Sequence, residues 1–207
     1  PWLDELPHLL DLRRLKELEA RSATAVEARG AGDAVTIGLR DDPAAQAQRP
    51  VTIDFEETGN ISFVGAGGTG KTSALITLAA SLSLDTGRKP AELYVVDAAG
   101  GALDAIASLP TVGAVASLSD MELVGRILRR LLDVIAERGP RFATARASSL
   151  VAYRAIPGNE QEPRVVLLID GFGAFRQATE ALGMLASPFQ MLSEIMMTGR
   201  SVGVHVA

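Results

Sequence analysis

Gly65-Ala66-Gly67-Gly68-Thr69-Gly70-Lys71-Thr72 is the most informative segment of this 207-residue chain. It matches the pattern G-x-x-x-x-G-K-[ST], and each position has a chemical reason. The glycines admit backbone conformations that a side chain would forbid. The loop N–H groups then converge and cradle phosphate oxygens. A helix that starts at Lys71 adds its positive N-terminal dipole. The Lys71 ammonium serves the β- and γ-phosphates, and the Thr72 hydroxyl serves Mg²⁺. With glycine at ~7% of average sequence, a chance match in a chain of this length is on the order of one in a hundred. The loop therefore implies a nucleoside triphosphate, with Gly65, Ala66, Gly67, Gly68, Thr69, Gly70, Lys71 and Thr72 as its contacts.

Working outward, Ile61 to Val64 reads as a short buried strand feeding the loop. Lys71 to Leu84 reads as a helix with Leu75, Leu78, Ala79 and Leu82 on one face. Ala91 to Val96 is a strand that ends in Asp97. Ser119 to Arg138 is a helix, with Ser119 and Glu122 spaced as a capping box and Leu123, Ile127, Leu131 and Ile135 as its apolar stripe. Phe142 to Arg154 also reads as helix. Val165 to Ile169 is a buried strand. Ser187 caps a further helix, with Pro188 at its first position and Gly199 past its end. Val202 to Val206 is a last strand. Strands separated by helices imply crossover connections and a mostly parallel α/β sheet covered by helices on both faces. Residues 1–58 read as a lead-in. It holds a short helix carrying Leu9, Leu12 and Leu15, then strands at Ala34 to Leu39 and Val51 to Phe55 joined by a polar loop from Arg40 to Pro50. Residues 59–207 read as the core domain.

A second acidic strand completes the expected site. Val165-Val166-Leu167-Leu168-Ile169-Asp170 places a carboxylate at the end of a buried strand, where it can hold Mg²⁺ beside Thr72. The next position decides activity. A glutamate directly after such an aspartate orients and deprotonates the attacking water in many hydrolysing motors. Here it is Gly171, which does neither. The residues that could substitute as a base are Asp97 and Glu180, although Asp97 also suits a turn into Ala98-Ala99-Gly100-Gly101. No other catalytic residue is evident.

Composition narrows the classes. The formal charge of −5 argues against a broad nucleic-acid or anionic-lipid footprint. The absence of cysteine excludes disulfides and thiolate metal sites. His8 and His205 form no ligand spacing. No apolar run approaches the ~20 residues of a spanning helix, and the Pro1-Trp2-Leu3-Asp4 start is no signal peptide. With a Pro start and an end inside the apolar run Val202 to Ala207, the chain reads as a piece of a longer protein.

The order of motifs resembles the FtsK/SpoIIIE branch of the additional-strand RecA-like ATPases. Within it, the chain looks like an ATPase domain of the EccC family, motors of bacterial type VII (ESX) secretion. The resemblance covers nearly the whole chain. It is carried by Trp2-Leu3, Ile37-Gly38-Leu39-Arg40-Asp41-Asp42-Pro43, Gln46 to Pro50 and Gly59-Asn60. Tyr94-Val95-Val96-Asp97, Leu109-Pro110-Thr111-Val112-Gly113, Tyr153-Arg154 and Gly199-Arg200-Ser201-Val202-Gly203-Val204-His205 carry it further. It implies that the α/β sheet is RecA-like. It implies ATP and Mg²⁺ as cofactors and a later, second or third, domain in a tandem array, since the first tends to keep the catalytic glutamate. It also implies neighbouring ATPase domains of the same chain as partners, hexamer-type assembly and WxG100-type secreted substrates. The implied location is cytoplasmic, at the inner face of the membrane, behind an anchor outside this segment. The expected function is binding of Mg-ATP with weak or no hydrolysis, in support of inter-domain assembly or regulation. An active FtsK-type DNA translocase is one alternative. A module that binds a secretion signal through Met184, Leu185, Met191, Leu192, Ile195 and Met196 is another, against core packing of those residues. Arg200 is either a surface arginine or one that reaches a neighbouring site.

Overall fold

The computed structural model describes residues 5–7, 10–15, 17, 34–84, 90–180 and 187–207. The described elements begin with strands β1 (Ala34–Asp42) and β2 (Ala47–Asp54), followed by the short helix α1 (Phe55–Thr58) and helix α2 (Lys71–Leu84). Strand β3 (Ala91–Asp97), a 3₁₀ turn (Ala102–Ile106), β4 (Val112–Ser117) and the long helix α3 (Met121–Thr144) come next. Then follow α4 (Leu150–Arg154), β5 (Arg164–Asp170), α5 (Phe172–Glu180), α6 (Pro188–Thr198), a 3₁₀ turn (Arg200–Val202) and β6 (Val204–Val206).

The main sheet has the order β4-β3-β5-β6, and its pairings are all parallel. Every residue of β5 is buried, as a continuous apolar run in a doubly covered parallel sheet demands. Its side chains alternate. Val165, Leu167 and Ile169 join one core with Val124, Ile127, Leu128 and Leu131 of α3 and Leu192 and Ile195 of α6. Val166 and Leu168 join the opposite core with Leu75, Leu78, Ala79 and Leu82 of α2. Those four α2 residues are the face expected from sequence. Each fully buried Leu or Val contributes about 1.5–3 kcal/mol of transfer free energy, so the two cores hold the sheet from both sides.

The lead-in strands form an antiparallel hairpin. They run further than expected, because the segment read as a long polar loop pairs Leu39 with Pro50, Arg40 with Arg49 and Asp41 with Gln48. Only residues 43–46 turn. Val35, Ile53 and Phe55 share the α2-side core, so the hairpin has no separate interior. Phe55 opens α1 rather than ending a strand, since Asp54 accepts from the Glu56 N–H and caps the helix. In the lead-in helix, Leu15 is buried and Leu12 half-buried, while Leu9 lies outside the described residues.

Several expectations are corrected. Ile61 to Val64 is not a strand. The Ile61 N–H bonds to the Val206 carbonyl at 2.9 Å, but the Val206 N–H goes to the Asn60 side chain, and Val64 is 92% exposed. One ladder bond does not make a strand. Asp120, not Ser119, caps α3, accepting from the Leu123 N–H at 2.9 Å while Ser119 pairs with Ser117. That helix continues through Gly139 and Pro140 to Thr144. Proline there forfeits one helical bond, and burial of Phe142, stacked on Tyr153 at 4.1 Å, outweighs the loss. The segment read as one helix from Phe142 to Arg154 is therefore split between the end of α3 and α4, which Ser149 caps. Strand β4 and helix α5 are further elements, not expected from the sequence. β4 is small-residue edge strand, and a Cβ at Gly113 would stand 3.1 Å from the Tyr94 ring. By contrast, Ser187, Pro188 and Gly199 bound α6 as expected, with a full capping box to Gln190.

Candidate functional site

The site lies at the C-terminal edge of the parallel sheet, where open α/β sheets place their ligand crevices. The loop from Gly65 to Gly70 is exposed and passes directly into α2. Gly68 and Gly70 have φ of 77° and 89°, in the left-handed region that glycine occupies without strain. The Thr69 hydroxyl donates to the Ala66 carbonyl at 2.9 Å and pins the loop across its mouth. The Lys71 ammonium donates to the Gly65 and Ala66 carbonyls at 3.0 and 2.7 Å.

The sheet brings the second half of the site to the first. Thr72 on the first turn of α2 donates its hydroxyl to Asp170 Oδ2 at 2.6 Å. The two residues are 98 positions apart in sequence. A hydroxyl and a carboxylate are hard oxygen donors, suited to Mg²⁺ held also by phosphate and water. Among the described residues no group of three or more His, Cys, Asp or Glu could hold a metal. A cleft of about 480 Å³ opens here, lined by Gly65, Lys71, Asp170, Gly171 and an apolar wall that includes Phe172 and Met196. Asp170 is the one carboxylate among its described lining residues. Phe172 carries no site signal in the sequence and Met196 is expected only as part of a signal-binding face, because an apolar residue at a helix start or end has the same pattern as core.

The two candidate bases stand elsewhere. Asp97 is buried at 4% exposure and does not line the cleft. Its Oδ1 accepts from the Ala99 and Gly100 N–H groups at 2.9 and 3.0 Å, and its Oδ2 from Leu103 at 2.9 Å. Burial pushes this carboxyl up, but the bonds from Leu103, Ala99, Gly101 and Gly100 outweigh it and leave the pKa below the ordinary aspartate value. The structure thus gives Asp97 the turn-forming part. Glu180 ends α5 on the surface, paired with Arg176 at 2.9 Å. Arg200 donates to the Glu56 and Glu57 carbonyls at 2.6 and 3.2 Å and so ties down the end of α1. His205 is fully buried. Its Nδ1 faces the Gly59 carbonyl at 3.1 Å and its Nε2 faces Arg164 at 2.6 Å. Burial, then the Arg164 charge, drives its pKa down to about 3. It is a neutral packing residue, as its lack of ligand spacing suggests. His8 lies outside the described residues.

A glycine-rich loop, a helix opening on Lys71-Thr72 and a strand-end aspartate bonded to that threonine define a P-loop NTPase fold. The model of the FtsK/SpoIIIE family matches residues 21–207, and the chain belongs to that family. It is 35% identical over its whole length to the ESX-4 secretion system protein EccC4 of Mycobacterium tuberculosis, of which it covers 16%. It is 25% identical, again over its whole length, to the type VII secretion system protein EssC of Staphylococcus aureus, of which it covers 13%. The chain thus spans about a sixth or less of those relatives. Among solved structures it resembles the cytoplasmic domain of the Thermomonospora curvata type VII secretion ATPase EccC, with TM-score 0.74, 28% identity and coverage of 87% of this chain and 21% of that one. ATPases 2 and 3 of the same EccC, in complex with a signal sequence peptide, give TM-score 0.70, 29% identity and coverage of 87% and 32%. The resemblance read from the sequence is borne out at the level of family and fold.

Proposed function

We propose that this chain is a Mg-ATP-binding domain, second or third in its array, of a type VII protein-secretion motor, with weak or no hydrolysis of its own. The observation that carries the reading is the 2.6 Å bond between Thr72 and Asp170 beside an intact loop, with Gly171 next in line. Bound Mg-ATP would be held by the loop N–H groups, the Lys71 ammonium, the Thr72 hydroxyl and the Asp170 carboxylate. Magnesium would supply charge neutralisation at the phosphates. Lys71 would exchange its loop carbonyls for phosphate oxygens. With Gly171 after Asp170, the described lining residues offer no second carboxylate to take a proton from a water. ATP then acts as a structural ligand that strengthens contacts with neighbouring ATPase domains. Hexamer-type assembly, WxG100-type substrates and a place at the inner membrane face belong to this proposal through the EccC likeness. The groove alternative weakens, since Met191, Leu192 and Ile195 are core residues of α6 while Met184 and Leu185 lie outside the described residues.

Calorimetric titration with ATP and Mg²⁺, alongside a phosphate-release assay, tests the reading. Wild type is expected to bind and to turn over slowly, and Lys71→Ala to lose at least about tenfold in affinity, as loss of a charge-assisted contact of about 1.5–3 kcal/mol implies. Brisk turnover that Lys71→Ala abolishes would refute the binding-only half. DNA-stimulated turnover at low salt would favour a translocase instead.

A further inference from the structure

Asp97 and Asp170 are register partners at the ends of adjacent strands β3 and β5. The chain leaves β3 through Ala98, whose N–H donates to the Asp170 carbonyl at 2.9 Å. The Asp97 carboxylate then gathers the N–H groups of Ala99, Gly100 and Leu103. Gly100 and Gly101, with φ of 136° and 88°, allow the chain to wrap that tightly. The turn therefore lies against the main chain at Asp170 and Gly171. At Gly171 φ is 75°, and an added Cβ would stand 2.8 Å from the Ala98 carbonyl carbon, 2.9 Å from its oxygen and 3.0 Å from the Ala99 nitrogen. These are backbone atoms, held on one side by Asp97 and on the other by the bond to Asp170. They have no rotamer by which to retreat.

We propose that Asp97 is a positioning residue for the magnesium-side acid. Through the turn at Ala98–Gly100 it fixes the backbone that aims Asp170 at Thr72, and the same turn closes position 171 to every side chain. The inference rests on the Mg-nucleotide reading above and deepens it. The glycine after Asp170 is not a gap that a glutamate can refill. Main chain occupies the first atom of any side chain placed there, so the site is built for holding.

The test uses the full chain and a fluorescent ATP analogue, titrated once with Mg²⁺ and once with EDTA. Asp97→Ala is expected to shrink the magnesium-dependent gain in affinity by about tenfold, the low end for losing a residue behind a metal ligand. Affinity in EDTA, which reads the loop alone, is expected to stay within about twofold. Asp97→Asn keeps one acceptor oxygen, folds more readily, and is expected to lose about threefold. An equal fall in both conditions, or an unchanged gain, overturns the positioning role. Gly171→Ala is expected to lower Tm by about 5 °C through strain at positive φ and overlap with Ala98. Gly139→Ala, where a Cβ meets nothing within 4 Å, is expected not to lower it. An unshifted Tm for Gly171→Ala overturns the closed position, as does appearance of ATP turnover in Gly171→Glu. If wild type binds no nucleotide in either condition, the nucleotide reading fails and the positioning role with it, while the Tm arm still decides whether the turn closes position 171.

Discussion

The two ends of strand β5 carry one charged group each, and they are put to opposite use. At the N-terminal end, Arg164 is 2% exposed, pairs with Glu56 at 3.0 Å, faces His205 at 2.6 Å and lies over the Phe55 ring at 5.6 Å. At the C-terminal end, Asp170 is also buried, at 6%, yet it lines a cleft and its named side-chain partner is the Thr72 hydroxyl. One end is saturated by the protein itself and ties α1 to the sheet. The other keeps oxygen capacity for a ligand. Burial alone therefore does not separate a structural charge from a functional one. The partners do, and so does the presence of an open volume beside the group.

The largest effect is expected from breaking the sealed end. Arg164→Met leaves Glu56 unpaired and His205 Nε2 without its donor, and should cost about 3–5 kcal/mol in urea denaturation. Asp170→Asn should cost roughly 1 kcal/mol or less in the same assay without nucleotide. Similar losses for both would erase the contrast. Acid should weaken the same end. His205 is neutral when folded, with its pKa lowered from 6.5 to about 3, so the unfolded chain binds the extra proton between those values. Stability is then present in full above pH 6.5 and falls as pH drops toward 3, by up to about 1.4 kcal/mol per pH unit. His205→Gln should flatten that slope in denaturation midpoints taken between pH 7 and 4.5.

The open end is sharpened by binding measurements. Asp170→Asn should remove about tenfold, or about 1.4 kcal/mol, of the magnesium-dependent nucleotide affinity while leaving affinity in EDTA unchanged. The smallest effect is expected at Glu180. Glu180→Gln breaks an exposed pair with Arg176, and should change stability by less than about 0.5 kcal/mol and nucleotide affinity not at all. A clear loss of turnover or binding there would return Glu180 to the site.

The legible parts were those with local causes. The loop, the α2 face, the buried run of β5 and the Ser187-Pro188 start of α6 each depend on a few neighbouring residues. What was misread depends on distant ones. Pro140 looks like a helix end until Phe142 meets Tyr153. Ile61 to Val64 looks like a strand until its one ladder bond to β6 is counted. The cap of α3 is a local exception: Ser119 and Asp120 both suit it, and the bond from the Leu123 N–H selects Asp120.

The residues alone specify a phosphate-loop motif on an FtsK/SpoIIIE-type α/β core, with glycine after the strand-end aspartate. Those are matters of local pattern, of which residue types tolerate which backbone. Folding sets the surroundings of the acids. Asp97 and Asp170 end neighbouring strands in the same register, and both follow apolar runs. Only the packed sheet shows one drawn into its own turn and the other turned across to Thr72. The reason is that a carboxylate's task is set by which donors lie within about 3 Å of it, and those donors come from parts of the chain that only folding brings together.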